Sequence, residues 1–321
     1  MAKKLTTFTL AALLISIFSI RYPALAETNG GYAGAFLRMG MGAEALAQGD
    51  AFVARAVNGY SAYYNVAGLA FLENRVFTTS YSHLALDRSL NFMSVAFPLK
   101  PTAGVSVSWI NAGVTNIDGR DFDGNHYGDL EFFENAFMFG FSNRFSDYVS
   151  AGIGVKIMYD LYPEMLEDDK ALKSTGVGFD FGLMVRPLKE LSIGLQVRDI
   201  NAKNSWDTSE YWSEGLTKND EFPTIYKIGA AYSPIPGLTA EYDFEMSSQD
   251  VVEHHFGFEF AVIFKPERSF FLRAGYDHDV PAFGFGYMFP IKNLSSRLDA
   301  AYVLENIAPD DTMIFSWSLY F

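Results

Sequence analysis

Residues 312–321 read Thr-Met-Ile-Phe-Ser-Trp-Ser-Leu-Tyr-Phe. Successive side chains of an extended strand point to opposite faces. One face would carry Met313, Phe315, Trp317, Leu319 and Phe321. The other face would carry mainly Thr, Ser and Tyr side chains, which are small or polar. An oily face opposite a wet face over about ten residues is typical of a strand that separates lipid from a polar lumen.

The same alternation recurs from Arg75 onward, in runs joined by connections that are alternately short and long. The predicted strands are Arg75–His83, Asn91–Leu99, Ala103–Asn111, Phe133–Arg144, Val149–Tyr159, Thr175–Arg186, Leu191–Asp199, Thr224–Tyr232, Leu238–Met246, His255–Phe264, Phe270–Asp277, Ala282–Phe289, Arg297–Leu304 and Thr312–Phe321. The longer connections, among them 112–131, 160–174 and 200–223, are interpreted as irregular loops. This pattern predicts an all-β fold, a 14-stranded antiparallel transmembrane β-barrel formed by residues 73–321.

The first 26 residues predict a secretory signal. Lys3 and Lys4 precede an apolar stretch, and Ala24-Leu25-Ala26 forms a small-x-small cleavage site. A membrane helix is the alternative, but the apolar stretch is short for one and ends before Arg21-Tyr22-Pro23. Export combined with a barrel predicts a location in the outer membrane of a Gram-negative-type bacterium, in contact with its lipid.

Composition narrows the class of protein. The chain has 38 Asp+Glu against 24 Lys+Arg, a net charge of −14, and its basic residues are scattered, so nucleic acid is not expected as a partner. It has no cysteine, which excludes disulfides, thiolate metal sites and an acylated cysteine. Alternation also occurs in soluble β-sandwiches, but an aromatic content of 16% suits lipid-facing rings and interface girdles better than a soluble core.

Charged side chains fall on the inward face of the predicted strands. The predicted lumen-lining residues are Glu241, Asp243, Glu245, Glu259, Arg273 and Arg297. One interpretation is cross-strand ion pairing that neutralises a filled lumen. The other is a conducting or ligand-guiding path along Glu241, Asp243 and Glu245, because three acids on one strand need partners.

The Gly/Ala-rich segment 27–72 is predicted to form an N-terminal hatch that plugs the barrel. Inward glycines such as Gly152, Gly257 and Gly275 leave the inner wall without side chains, which is expected where another piece of backbone lies against it. The apolar residues of the segment also need a place to be buried. An N-terminal extension left in the periplasm is the alternative.

Two elements in this segment carry a family resemblance. The first is Arg38-Met39-Gly40-Met41-Gly42, and the second is Asn58-Gly59-Tyr60-Ser61-Ala62-Tyr63-Tyr64-Asn65-Val66-Ala67-Gly68-Leu69-Ala70. Here the sequence resembles the FadL-like outer-membrane barrels, most closely their PorV/PorQ-type branch, in which a Gly-Met-Gly element precedes a Tyr-x-Asn-Pro-Ala-Gly-Leu-Ala element. Val66 stands where the second element usually has proline. The resemblance implies a hatch motif made of Gly40, Gly42, Tyr64, Asn65, Ala67 and Gly68.

The resemblance implies two functions. PorV/PorQ-type members serve protein secretion or surface attachment, whereas the fatty-acid transporter branch passes hydrophobic small molecules through a hatch-gated lumen. The hydrophilic segment Ile117–Leu130 favours the first function, since only Trp206, Tyr211, Trp212 and Leu216 offer an apolar patch. We therefore expect a PorV/PorQ-type component with secreted or surface partners. The alternatives are a FadL-like passive transporter of fatty acids or similar molecules and a structural barrel without cargo.

The sequence predicts no catalytic residue, cofactor or metal ligand, and hence no enzyme. It has no Gly-x-Ser-x-Gly elbow, and its histidines (His83, His126, His254, His255 and His278) lack ligand spacing. A catalytic site assembled across strands stays open as an alternative. The run Asp121-Phe122-Asp123-Gly124-Asn125 resembles part of a calcium loop but lacks the closing glutamate, so calcium binding there also stays open.

Overall fold

The computed structural model describes residues 29–166, 170–209, 215–265, 268–305 and 309–321. The predicted signal, residues 1–26, lies outside these ranges, as do Tyr211 and Trp212 of the predicted apolar patch. Within them the strands are β1 (Val76–Leu84), β2 (Arg88–Leu99), β3 (Ala103–Arg120), β4 (His126–Ser146), β5 (Val149–Leu166), β6 (Lys170–Leu188), β7 (Leu191–Asp207), β8 (Thr217–Glu221), β9 (Ile225–Ile235), β10 (Leu238–Ser247), β11 (Val252–Lys265), β12 (Arg268–Asp277), β13 (Val280–Ile291), β14 (Leu294–Val303) and β15 (Thr312–Tyr320). No helix in the described ranges is long and apolar enough to cross a bilayer.

The strands form a closed 14-stranded antiparallel barrel, which confirms the predicted fold class. Each barrel strand pairs with its neighbours along the chain, and β1 pairs with β15 to close the sheet. The closure is continued by Arg75 and Phe321, whose backbone N–H groups each donate to the other residue's carbonyl at 3.1 and 3.0 Å. Strand β8 pairs only with the far part of β7, so it extends a hairpin and adds nothing to the wall.

The two ends of the barrel differ. At one end, here called the short-turn end, two-residue turns join pairs such as Leu188–Leu191 and Ile291–Leu294. At the other, the long-hairpin end, the prediction of irregular loops at 112–131, 160–174 and 200–223 is wrong. Strands β3 to β7 continue far into these segments as paired hairpins. Beyond the apolar belt neither face needs oily residues, so the backbone stays paired although the alternation that reveals strands is lost.

The two faces of the wall follow the predicted alternation. In β5, Ile153 and Ile157 are exposed on the outside, whereas Lys156 and Met158 are buried inside. Large apolar side chains cover the exterior, among them Phe137, Phe139, Phe141, Phe258, Phe260, Phe283, Phe285 and Phe315. An exposed surface this apolar suits acyl chains rather than water, so we treat the barrel as membrane-spanning.

Residues 29–72, here called the N-terminal segment, lie inside the barrel. They form short helices: η1 (Asn29–Gly31), η2 (Ala35–Arg38), α1 (Ala43–Leu46), α2 (Ser61–Tyr64) and η3 (Val66–Phe71). At the long-hairpin end Tyr32 Oη donates to Gln249 Oε1 at 3.0 Å. At the short-turn end Phe71 lies 4.1 Å below the Arg186 guanidinium. A Cβ added at Gly275 of the wall would lie 2.0 Å from the backbone nitrogen of Gly49, so this contact requires glycine.

Candidate functional site

One side of the lumen is lined by buried charges, and we call it the ionic wall. It consists of Lys227 on β9, Glu241, Asp243 and Glu245 on β10, Glu259 on β11, Arg273 on β12, and Arg297 and Asp299 on β14. These strands follow one another in the sheet, with β13 between β12 and β14, and the charged side chains are buried on the inner face. All six of the predicted lumen-lining residues belong to this wall.

Part of the ionic wall neutralises itself. Arg273 Nε donates to Glu259 Oε2 at 2.8 Å, and its Nη1 donates to Asp299 Oδ1 at 2.7 Å. Arg297 Nε donates to the other Asp299 oxygen at 2.9 Å. Charge-assisted hydrogen bonds of this kind are about twice as strong as neutral ones. This cross-strand pairing is the filled-lumen arrangement that the sequence left open against a conducting path.

The remaining charge is balanced by Arg55 and Glu44 of the N-terminal segment. Arg55 Nη1 donates to Glu241 Oε1 at 2.7 Å, and its Nη2 donates to Glu259. Arg297 donates to both carboxylate oxygens of Glu44, with Nη1 at 3.0 Å from Oε1. Because a buried charge is costly unless it is paired, these contacts fix where the segment sits on the wall.

Two further anchors lie nearer the long-hairpin end. Lys227 Nζ lies 3.0 Å from Asp50 Oδ2 and 2.8 Å from Glu245 Oε2, so it joins segment and wall. Asp243 Oδ2 accepts hydrogen bonds from the backbone N–H groups of Phe52 and Val53, at 2.8 and 2.9 Å. Together these contacts give each of the three acids on β10 a partner.

Sequence reasoning missed the three residues of the segment that provide these contacts. Glu44, Asp50 and Arg55 are the only charged residues between Met39 and Leu72. All three meet opposite charges of the wall. A charge that interrupts an otherwise apolar, Gly/Ala-rich segment is the signal that would have identified them.

The opposite side of the lumen carries a large apolar cluster, with the buried Lys156 of β5 beside it. We define the apolar wall as Leu90 and Phe92 on β2, Ile110 on β3, Ala136 and Met138 on β4, and Met158 on β5, all buried. These side chains form one cluster with Phe36, Leu37, Met41, Phe52, Tyr60, Tyr63 and Tyr64 of the N-terminal segment. The rings of Tyr60 and Phe92, for example, have centroids 5.1 Å apart. Packing and burial, rather than charge, hold the segment on this side.

The structure brings the two parts of the predicted hatch motif together through tyrosine hydroxyls. Gly40 N donates to Tyr63 Oη at 3.2 Å, and Met41 N donates to Tyr64 Oη at 2.8 Å. Tyr64 Oη in turn donates to Asp50 Oδ1 at 2.5 Å. Gly42 has φ 85°, and a Cβ there would lie 2.3 Å from the Tyr60 ring, so glycine is required.

Asn65 organises the second part of the motif. Its Oδ1 accepts from Ala67 N at 3.1 Å and so caps η3, whereas its Nδ2 donates to the carbonyls of Val53 and Leu183 at 3.0 and 3.1 Å. Ala67 O accepts from Ser150 Oγ on β5 at 2.9 Å. A Cβ on Gly68 would lie 1.6 Å from Ala56 O. The motif residues therefore hold turns of the segment to each other and to the wall.

A cleft lies at each end of the lumen. The cleft at the long-hairpin end has a volume of about 830 Å³ and is lined by Tyr32, Lys203, Asp220, Phe222 and Gln249, among others. The cleft at the short-turn end has about 480 Å³, and its lining includes Arg55, Arg186 and Lys189. Phe222 and Ala202 line the larger cleft and also belong to the apolar cluster. The apolar cluster is thus reached from one end of the barrel.

The run Asp121–Asn125, for which the sequence left calcium binding open, is a hairpin tip between β3 and β4. Asp121 Oδ1 accepts from the backbone N–H groups of Asp123 and Asn125 at 3.0 and 2.8 Å, and Oδ2 accepts from Asn125 Nδ2 at 3.1 Å. The hydrogen bonds from Asn125 hold the pKa of the exposed Asp121 carboxyl below its usual value. Both carboxylate oxygens of Asp121 accept hydrogen bonds within the turn, so stabilisation of the turn accounts for this residue without a bound ion.

Comparisons with known proteins identify the class of fold. No protein-family model matches the chain. No curated protein is significantly similar to it in sequence. Solved structures do match: the Pseudomonas putida toluene transporter TodX superposes with a TM-score of 0.64 at 10% identity, covering 88% of this chain and 99% of that chain. At this identity the likeness establishes the fold.

Two further structures agree. The Ralstonia pickettii toluene transporter TbuX gives a TM-score of 0.61 at 11% identity and covers 88% of this chain and 97% of its own. A Pseudomonas aeruginosa FadL homologue gives 0.59 at 12% identity, with 84% and 95% covered. The resemblance to FadL-like barrels is therefore confirmed at the level of the fold. The assignment to the PorV/PorQ-type branch stays a prediction.

Proposed function

We propose that this chain is a non-enzymatic outer-membrane channel through which small hydrophobic molecules cross passively, with residues 27–72 as its plug. The barrel shares its fold with toluene transporters and a FadL homologue. Its apolar exterior suits an outer membrane. This was the alternative reading of the sequence, and we now prefer it to protein secretion.

The apolar cluster between the N-terminal segment and the apolar wall carries the proposal. Tyr60, Tyr63 and Phe52 of the segment pack in one buried cluster with Phe92, Ile110 and Met138 of the wall. A small apolar molecule that enters this cluster would replace apolar contacts between side chains with apolar contacts to itself. An ion or a sugar would have to give up most of its hydration in this cluster, at a cost of several kcal/mol for a polar group left unpaired.

A route to the cluster starts at the larger cleft. Phe222 lies between that cleft and the cluster, and it packs against Gly34 of the segment. Among the described residues, the ion pairs between the segment and the barrel all lie on the opposite, ionic wall. We therefore propose that the segment moves away from the apolar wall when a molecule passes, because such a movement breaks no buried ion pair.

Uptake in cells tests the substrate class. The full chain is expressed in a Gram-negative host that lacks its own hydrophobic-compound channels, and initial uptake of radiolabelled toluene is measured. We expect faster uptake than in cells with an empty vector, whereas uptake of a labelled disaccharide stays unchanged. Equal toluene uptake, with folded protein shown to be in the outer membrane, would refute the proposal.

The plug is tested separately by conductance. A variant that keeps the signal but lacks residues 27–72 is compared with the full chain in planar bilayers. If the segment closes the lumen, we expect the deletion to raise single-channel conductance. Equal conductance of two folded barrels would rule out the plug and leave the uptake result standing on its own.

A PorV/PorQ-like role in secretion or surface attachment is the second candidate. It is favoured by the β3–β4 hairpin, which is hydrophilic yet exposes Phe122 fully and Tyr127 by 60%. A photocrosslinker placed at position 122 would recover exported proteins if this hairpin binds partners. Recovery of lipid alone, or of the same proteins from a crosslinker at Ile153 on the lipid face, would count against it.

A further inference from the structure

A cluster of potential metal ligands lies at the long-hairpin end of β10 and β11. Glu245, Glu253 and His255 each offer one donor atom, and these atoms all lie within 4.8 Å of one another. Glu245 and Glu253 are direct cross-strand partners, and His255 is the next inward residue on β11. Residue spacing along the chain did not reveal this group, because the pairing of two strands brings its members together.

The orientation of His255 suits a metal ligand. Its side chain is 2% exposed, and Nδ1 lies 2.7 Å from Asp277 Oδ1 on β12. Nε2 points towards Glu245, 3.7 Å from Oε2, and neither ring nitrogen makes a hydrogen bond of ordinary geometry with a described residue. A carboxylate on one ring nitrogen that leaves the other free is the usual arrangement of a metal-binding histidine.

The charges around the cluster also favour a cation. Two glutamates placed directly opposite each other in a sheet repel. Lys227 neutralises Glu245 at 2.8 Å. The Glu253 side chain is only partly buried, so it can be reached from the mouth of the barrel.

We propose that His255 Nε2, Glu245 and Glu253 bind a divalent transition-metal ion such as Zn²⁺, with water completing the coordination. Zinc binds nitrogen and oxygen donors at about 2.0–2.2 Å in a tetrahedral arrangement, so two donors of one ion lie roughly 3.3–3.6 Å apart. His255 Nε2 and Glu245 Oε2 already lie 3.7 Å apart, so a movement of roughly 1 Å, mainly by the Glu253 side chain, would bring the group together. Imidazole with carboxylates selects transition metals over Ca²⁺ and Mg²⁺.

The ion would act at the mouth of the barrel. It would join β10 to β11, whose connecting loop carries Gln249, the hydrogen-bond acceptor of Tyr32. Through Glu245 and Lys227 it would also be coupled to Asp50 of the N-terminal segment. The site is independent of what the channel passes, so its test does not depend on the proposed function.

Calorimetric titration of Zn²⁺ into the full chain, purified in detergent and stripped with a chelator, tests the site. We expect one ion per chain, unaffected by 1 mM Ca²⁺. His255→Gln and Glu253→Gln should each weaken binding at least tenfold. His254→Gln is the matched control, because the neighbouring His254 faces outward and contacts Tyr242 Oη at 2.9 Å, and it should bind as the unmodified chain does.

Cobalt provides a second readout. Bound Co²⁺ should give visible absorption bands that shift or vanish in His255→Gln, and the heat-dependent gel mobility of each variant reports its folding. Should His255→Gln fail to fold, Glu253→Gln decides alone, since it changes a partly exposed side chain. The absence of Zn²⁺ binding, or binding that survives both substitutions, would overturn the proposal in favour of an imidazolium bridging Glu245 and Asp277.

Discussion

The two walls of the lumen hold the same N-terminal segment by different forces. On the ionic wall, Arg55, Glu44 and Asp50 meet opposite charges at hydrogen-bond distance. On the apolar wall, aromatic and aliphatic side chains pack without charge. Ion pairs in a buried place require particular partners, whereas apolar contacts tolerate exchange. One wall therefore sets the position of the segment, and the other leaves room for a change in packing.

The largest expected effect comes from removing the central cation of the ionic wall. Arg55→Ala leaves Glu241 buried without its cationic partner and Glu259 with Arg273 alone, which should lower the free energy of unfolding by about 3–5 kcal/mol. Urea unfolding in lipid vesicles, followed by tryptophan fluorescence, measures it. Arg75→Ala, an exposed arginine at the short-turn end, is the control. A loss for Arg55→Ala no larger than the control would mean that the ionic wall does not anchor the segment.

Tyr64 belongs to the apolar cluster and also contacts a charged residue of the segment, because its ring packs on Phe52 while its hydroxyl donates to Asp50. Tyr64→Phe keeps the packing and removes a hydrogen bond to a charged group, so we expect a loss of about 1.5–3 kcal/mol. The matched control is Tyr60→Phe, since the Tyr60 hydroxyl makes no hydrogen bond of ordinary geometry among the described residues. Equal losses in the same unfolding assay would contradict the assigned role of Tyr64.

On the apolar wall, removing a single methylene should lower the free energy of unfolding less than the substitutions above. Ile110 is fully buried between Phe92 and Ala136 on the neighbouring strands. Ile110→Val should lower the free energy of unfolding by about 0.5–1.5 kcal/mol and, under the proposed function, speed toluene uptake. Ile153→Val, on the lipid face, should change both quantities less. Slower uptake, or a loss as large as that of Arg55→Ala, would remove the distinction between the walls.

The sequence predicted the strands of the barrel well, but it predicted the contacts inside the lumen only in part. Alternation located all fourteen strands and their faces, because each strand separates lipid from lumen along its own length. Alternation did not predict that β3 extends as far as Arg120, or that β4 begins as early as His126. Both faces of these extensions meet water, so their sequence does not alternate. Partners such as Arg55 and Glu241 are 186 residues apart, and only the closed register of the barrel brings them together.

The motif shows the same limit. The resemblance identified Gly40, Gly42 and Tyr64 as one unit, and the structure places them together. It did not indicate that Asp50 is the charge to which the tyrosine hydroxyl donates. The cluster of Glu245, Glu253 and His255 was missed for a related reason. Ligand spacing is read along the chain, whereas a sheet assembles ligands across strands.

The smallest effect is expected outside both walls, at the β3–β4 hairpin tip. The ionised Asp121 carboxylate accepts two backbone N–H groups and one amide of the turn. Its pKa is held below the usual value of about 3.9, so the carboxylate stabilises the turn above that pH and loses this effect as pH falls through its lowered pKa. Amide hydrogen exchange at Asn125 should therefore quicken, relative to its intrinsic rate, at low pH.

Asp121→Ala should give the fast rate at neutral pH while the unfolding free energy of the barrel stays the same. A drop in barrel stability in this variant would mean that the hairpin supports the lumen, and the contrast between the walls would no longer describe the whole molecule.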